Sequence, residues 1–387
     1  MGANNEEKNT LPDSPDNKTV KINFWNELSG SIGDLGILLP YVLGAINLVG
    51  LNPAAIFSCF GLFYIFCGWF YRIPMAVQPM KAASAALLVH NLTAGEMAAA
   101  GLIIGASLLI LGLTGLIDFI ARVTPRSVVS GIQVGLGVSL ASLGVKMIST
   151  EPLIGWIILV LILLLLRSRR LPAAIIALAA GIALNFILHP DLSLPSISIA
   201  FPTPALAWPK LADFNRGFLL AALPQLPLTV ANAVLVTTVV SRELYGEQAT
   251  RVKDRNLCLT MGVANLLSAP LGGYMMCHGS GGVAAHHRFG GRTRYTSYII
   301  GAFLLITGLL LGSDGAKLLA LIPEAVLGCL LFYSGLDLAV AAKFTPSRQD
   351  LFIILGVAIL SIATNPAIAF IAGFFAARSM EKGWIKI

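Results

Sequence analysis

Apolar and polar positions in this chain alternate in blocks about as long as a membrane is thick. Apolar segments fall at about 28–50, 53–71, 96–120, 126–148, 152–167, 171–189, 217–241, 257–272, 295–312, 322–341, 350–363 and 365–380. Most approach the roughly 20 residues that carry an α-helix across a ~30 Å hydrocarbon core. The ~10-residue alternating segments of a membrane β-barrel are absent. The pattern predicts an all-α polytopic membrane protein. Two further pieces, about 79–91 and 278–289, are too short to span alone and are rich in Pro, Gly or small polar residues. Counting them as crossings gives fourteen transmembrane elements.

Composition agrees. The chain is 56% hydrophobic and 12% charged, with mean hydropathy +0.82, about half the charged fraction of a soluble domain. Residues 1–21 differ: they are polar and are expected to form a disordered cytoplasmic tail. They lack the basic and apolar regions of a cleaved signal peptide. The net charge of +7 does not imply nucleic acid, because basic residues of membrane proteins gather on the cytoplasmic side. With a cytoplasmic N-terminus and every short piece counted as a crossing, 21 of the 26 lysines and arginines fall on that side. Lys146, Lys210, Arg216 and Lys317 fall outside it, and Lys81 lies within the membrane. The expected location is therefore a multi-pass plasma (cytoplasmic) membrane protein with both termini cytoplasmic and the lipid bilayer as partner. The cysteines (Cys59, Cys67, Cys258, Cys277, Cys329) form no CxxC and read as small buried apolar residues.

The two halves share a plan. A segment starting Pro125-Arg126 and another starting Pro323-Glu324 both place Pro at a helix start, where its missing N–H costs nothing. Pro125 lies 46 residues after Pro79, and Pro323 lies 45 after His278. Each half thus has a broken short element and then a Pro-started helix. Seven elements per half, an odd number, makes the halves two inverted repeats: 22–190 and 216–387, joined by an extracytoplasmic loop over 191–215. Interrupted segments at matching positions of two halves point to a transporter's substrate site.

Four stretches carry candidate chemistry. In Ile73-Pro74-Met75-Ala76-Val77-Gln78-Pro79-Met80-Lys81 the prolines stop a continuous helix. A helix restarting there would present free N–H groups, and Lys81 adds a full charge, which outlines an anion site. Lys81 would otherwise pair with Asp34 or another carboxylate, or snorkel to the interface. In Cys277-His278-Gly279-Ser280-Gly281-Gly282 the glycines allow close backbone approach to a ligand. His278 is open between substrate contact, proton coupling and structure. His286, His287 and Arg288 read as interfacial basic residues, and no zinc-ligand spacing is present. Leu223-Pro224-Gln225-Leu226-Pro227-Leu228-Thr229 supplies the Gln225 amide, and Asn232 follows either as an amide ligand or as helix–helix glue. Gly33-Asp34-Leu35-Gly36 offers Asp34 for charge balance, cation coupling or protonation.

Taken together these four stretches, with Arg288-Phe289-Gly290, resemble the molybdate transporter family, distant relatives of the SulP sulfate permeases. The likeness runs along nearly the whole chain after the tail. It implies a fold of seven plus seven inverted helices in core and gate domains. The core would hold elements one to four and eight to eleven. Half-helices three and ten would face each other across the substrate, with the core sliding against the gate. The chain ends at Ile387, too soon for the STAS domain usual in SulP permeases, so none is expected. The resemblance also makes a homodimer a candidate assembly, but no dimer face is legible and the oligomeric state stays open.

The expected function is transport of a tetrahedral oxyanion, molybdate first and sulfate or tungstate next. The expected substrate-binding set is Gln78, Met80, Lys81, Ser84, Gln225, Cys277, His278, Gly279, Ser280, Gly281 and Gly282. Asp34 and Asn232 are candidates for coupling or charge balance. No cofactor, bound metal or nucleic acid is expected. A nucleobase or bicarbonate carrier on the same fold would need an acidic ligand facing the half-helices, where this sequence is amide-rich. An intramembrane enzyme lacks any nucleophile–base spacing. An anion channel stays open as an alternative.

Overall fold

A computed structural model describes residues 23–117, 124–165, 173–195, 208–311, 317, 319, 321–343 and 347–384; the expected tail over 1–21 lies outside these. The chain is mostly helical. The first apolar segment is α1 (Phe24–Ile32) and α2 (Leu35–Val49), broken at Gly33-Asp34. Then come α3 (Pro53–Tyr71), β1 (Gln78–Pro79), α4 (Lys81–Val89), α5 (Ala94–Thr114), α6 (Arg126–Ile148), α7 (Pro152–Leu165) and α8 (Ala173–Leu188). The second part holds α9 (Asp213–Ala249), α10 (Asp254–Ser268), β2 (Met276–Cys277), α11 (Ser280–Arg288), α12 (Tyr295–Leu311), α13 (Glu324–Val340), α14 (Arg348–Ala363) and α15 (Pro366–Glu381).

Each predicted element therefore meets a helix, but not each is long. Five helices of the described residues are long and apolar enough to cross a membrane: Phe24–Val49, Pro53–Tyr71, Ala94–Thr114, Arg126–Ile148 and Asp213–Ala249. Others expected to span have 14 to 17 described residues, roughly 21–26 Å at 1.5 Å per residue.

Local chemistry sets the boundaries. The Asn52 carboxamide accepts from Ala54 and Ala55 N–H at 2.9 and 3.3 Å ahead of Pro53, and Asn365 caps α15 ahead of Pro366, the favoured order of cap and proline. Thr93 and Glu96 form a capping box on α5. Pro125 and Pro323 are the N-caps of α6 and α13. In α9, Pro224 and Pro227 interrupt the regular ladder, and wide π-type turns flank them at Gly217–Ala222 and Thr229–Val236.

Lipid gives helices no hydrophobic reason to associate, so close packing of small residues must hold the bundle. Glycines make three such seams. Where α6 crosses α13, a Cβ on Gly137 would lie 2.6 Å from the Gly335 carbonyl oxygen, and one on Gly335 2.5 Å from that of Gly137; Gly144 and Gly328 repeat the pattern. Likewise a Cβ on Gly61 of α3 would lie 2.7 Å from the Gly301 carbonyl oxygen of α12, and one on Gly105 of α5 3.0 Å from that of Gly262 of α10. Large apolar side chains such as Leu62, Trp69, Ile110, Trp156 and Leu164 stand exposed on the outer faces, as a bilayer-facing surface requires.

Candidate functional site

The two broken stretches come together. β1 and β2 pair antiparallel, Gln78 opposite Cys277 and Pro79 opposite Met276, and Met80 N–H reaches the Met275 carbonyl at 3.1 Å. Pro79 cannot donate to the ladder. Asn265 of α10 serves Met276 instead: its Oδ1 accepts Met276 N–H at 2.9 Å and its Nδ2 donates to the Met276 carbonyl at 2.7 Å. Antiparallel pairing sends the chain away from the ladder in opposite directions. The nine-residue helices α4 and α11 thus begin at its two ends.

A helix start leaves its first N–H groups without an intrahelical acceptor. On α4 the Gln225 Oε1 takes Ala83 N–H at 3.0 Å, while the Gln225 amide donates to Thr229 Oγ1 at 2.8 Å. The N–H groups of Lys81, Ala82, Ser280, Gly281 and Gly282 have no acceptor among the described residues. These ends stand at a cavity of about 570 Å³ whose wall includes Gln78, Lys81, Gln225, Asn232, Cys277, His278, Gly279, Ser280 and Gly281. Met80, Ser84, Gly282 and Asp34 are not in that wall; Met80, Ser84 and Asp34 are fully buried behind it.

The cavity wall also carries Gln133, Tyr333, Asp337, Arg288 and Lys343. Lys81 Nζ lies 2.9 Å from Asp337 Oδ2, with both side chains partly exposed. The partner of Lys81 is thus a carboxylate on α13 and not Asp34. Asp337 sits inside an apolar segment, and an intramembrane acid is a functional-site signal in its own right.

Asp34 has its own company. It accepts from the Tyr64 hydroxyl and the Gln78 amide, and His286 Nε2 is 3.8 Å away. His286 is fully buried, in contrast to the interfacial position that its His-His-Arg context predicts. The helix turns it toward α1 while Arg288 reaches the cavity. His278 is held on both ring nitrogens, by the Ala76 carbonyl at 2.9 Å and Thr260 Oγ1 at 3.0 Å, so its ring is fully committed to the fold. Gly279 and Gly282 must be glycine for space: a Cβ on either would overlap the Gln78 side chain, and one on Gly282 would also strike Asp34. Among the described residues no three His, Cys, Asp or Glu gather at metal-holding distance.

Comparison with known proteins identifies the family and the fold. The family model described as "Molybdate transporter of MFS superfamily" matches residues 26–140 and 217–338. "Molybdate transporter 2" of Arabidopsis thaliana is 31% identical over 88% of this chain and 84% of its own length. "Molybdate transporter 1" of Chlamydomonas reinhardtii is 28% identical over 90% of each. The transmembrane domain of the cyanobacterial bicarbonate transporter BicA superposes with a TM-score of 0.69 at 21% identity, covering 91% of this chain and 98% of that one. SLC26A9 gives the same TM-score at 15% identity over 92% of this chain and 64% of its own. At such identities these two structures speak for the fold. The sequence matches speak for the family: this chain is a polytopic membrane transporter belonging to the molybdate transporter family.

Proposed function

We propose that this protein carries molybdate across its membrane, holding the dianion between the starts of α4 and α11. The carrying observation is that the starts of α4 and α11 meet at one cavity, bringing the Lys81 ammonium and the unclaimed backbone N–H groups of Lys81, Ser280 and Gly281 to its wall. Each helix start contributes roughly half a positive charge, and Lys81 adds a full one that an arriving dianion shares or wins from Asp337. Gln78, Gln225, Ser280, Cys277 and the His278–Gly279 backbone frame the site. Met80, Ser84 and Gly282 act behind it, by shaping the helix starts. Molybdate and sulfate carry the same charge, so size decides between them. Gly281, where an added Cβ would meet only Ile37, leaves room on the cavity wall for the longer metal–oxygen bonds.

Transport follows from an elevator-type movement. The contacts sort into two sets: α3 packs on α12 and α5 on α10, whereas α6 packs on α13 and α14, and α14 on α15. The seams also exchange under a two-fold relation between halves 22–190 and 216–387: α6–α13 and β1–β2 map onto themselves, and α3–α12 maps onto α10–α5. This supports inverted repeats of seven, with α4 and α11 as half-helices, over the six-plus-six plan of the superfamily in the family's description. The set α1–α5 with α9–α12 is the moving core, and α6–α8 with α13–α15 the gate. The bias of basic residues supports cytoplasmic termini with 191–215 on the opposite side, and the plasma membrane is the location proposed; assembly as a homodimer is checked by light scattering. Radiolabelled molybdate uptake into proteoliposomes, with competing tungstate, sulfate, bicarbonate and uracil, tests the reading. Saturable, trans-stimulated molybdate uptake is expected, with sulfate a weaker competitor; sulfate competing at equal affinity sinks the size argument, and non-saturable flux points to a channel.

A further inference from the structure

We propose that Asp34 and His286 form a proton-binding site that couples proton uptake to oxyanion binding; this rests on the oxyanion reading above. Asp34 and His286 are both fully buried. His286 Nδ1 lies 2.8 Å from the Gly30 carbonyl. A carbonyl only accepts, so Nδ1 carries the proton and the neutral ring leaves Nε2 bare. That Nε2 has no hydrogen-bond partner and faces Asp34 Oδ2 at 3.8 Å. A proton arriving on Nε2 gives the buried Asp34 carboxylate, hydrogen-bonded by Tyr64 and Gln78 but lacking a counter-charge, an opposite charge to face, lowering the cost of burying it.

The other ionisable groups packed around this pair are neutral or already engaged. On α3, Tyr64 and Cys67 are a phenol and a thiol, neutral at that pH, as is Cys277 on β2. On α1, Glu27 is engaged by Thr296 Oγ1 and by the N–H groups of Arg292 and Thr293. Lys81 is paired with Asp337 of α13. On α11 itself, His287 packs edge-on against Tyr245 of α9, Arg292 beyond it donates to the His287 carbonyl at 2.5 Å, and Arg288 opens to the cavity. On α12, Tyr295 and Tyr298 pack edge-on against each other, and α8 carries no titratable side chain.

The link to substrate is short. Gln78 donates to Asp34, and the same side chain abuts Gly279, the N-cap of α11, so that no Cβ fits there. A Cβ on Gly282 would overlap both Asp34 and Gln78. The carboxylate thus lies one side chain behind the N–H groups that would hold the dianion. Unprotonated, the pair places a like charge behind the substrate; protonated, it places none. Binding a dianion therefore favours the protonated pair, and a proton gradient favours loading on its acidic side. Gln78 acts as the positioning residue between the two sites.

The test is calorimetric titration of the purified full chain with molybdate, at pH values where molybdate stays a dianion, in buffers of different ionisation enthalpy. The wild-type protein is expected to take up about one proton per molybdate, with affinity weakening toward roughly tenfold per pH unit on the alkaline side. Asp34→Asn and His286→Gln are expected to flatten that slope. Molybdate binding with no proton uptake and a flat pH profile overturns the coupling alone, as does an undiminished slope in both variants. No molybdate binding at any pH overturns the proposed function and the coupling with it. Should a variant fail to fold, the wild-type proton count decides.

Discussion

Lys81 meets an arriving anion already paired, since Asp337 occupies its ammonium at 2.9 Å. Two substitutions separate the roles of this pair. Lys81→Met is expected to abolish molybdate binding in calorimetry while leaving the thermal unfolding midpoint near wild type, because a partly exposed pair contributes little to folding. Unchanged binding would make Lys81 a structural residue. Asp337→Asn is expected to tighten binding roughly twofold to fivefold, the range of a half-exposed ion pair. A third probe uses Gly281, where an added Cβ would meet only Ile37 Cδ1, at 3.9 Å. Gly281→Ala should fold normally and weaken molybdate more than sulfate in paired titrations; equal weakening would count against size selection. At this scale the sequence made Lys81 and the Cys277–Gly282 run legible, because prolines, glycines and a lysine are costly in hydrocarbon. The identity of the Lys81 partner was not legible. Asp337 lies 256 positions away, and only the folded chain brings α13 to α4. His286 was hidden for another reason: its neighbours His287 and Arg288 are ordinary interfacial residues, and only the helix's rotation distinguishes it from them.

At the scale of elements, the short ladder sets where α4 and α11 begin, and Asn265 holds that ladder together where Pro79 cannot. Asn265→Ala leaves the Met276 N–H and carbonyl unpartnered in a buried place, at a cost of about 1–3 kcal/mol each. It is expected to lower the unfolding midpoint in detergent and to weaken molybdate binding at a site it does not touch. A variant as stable and as tight-binding as wild type would show that the ladder does not position the helix starts. Element positions were readable from the apolar blocks and from the prolines that start α6 and α13. The break at Gly33-Asp34 was not, because the run continues as apolar on both sides. Nor was the engagement of Gln225 with Ala83 N–H, which reassigns that amide from a free donor to a helix cap that shapes the site.

For the molecule as a whole, glycine seams join α6 to α13, α3 to α12 and α5 to α10, and the cavity proposed for the substrate is lined both by α9 and α11 and by α6 and α13. Gly44 of α2 and Leu331 of α13 touch across the boundary between the proposed core and gate sets, where a Cβ on Gly44 would be 3.3 Å from Leu331 Cδ2. Joining Gly44→Cys to Leu331→Cys is expected to stop molybdate uptake in proteoliposomes while molybdate binding survives, with uptake restored on reduction. Undiminished uptake by the cross-linked protein would contradict sliding between the sets. The most direct measurement of the central claim is the position of molybdenum, located by its anomalous scattering in crystals of the molybdate complex. The account predicts one peak between the starts of α4 and α11, with its oxygens in reach of the Lys81 ammonium and the N–H groups of Ser280 to Gly282. A peak elsewhere in the cavity, such as beside Arg288 and Lys343, would contradict it.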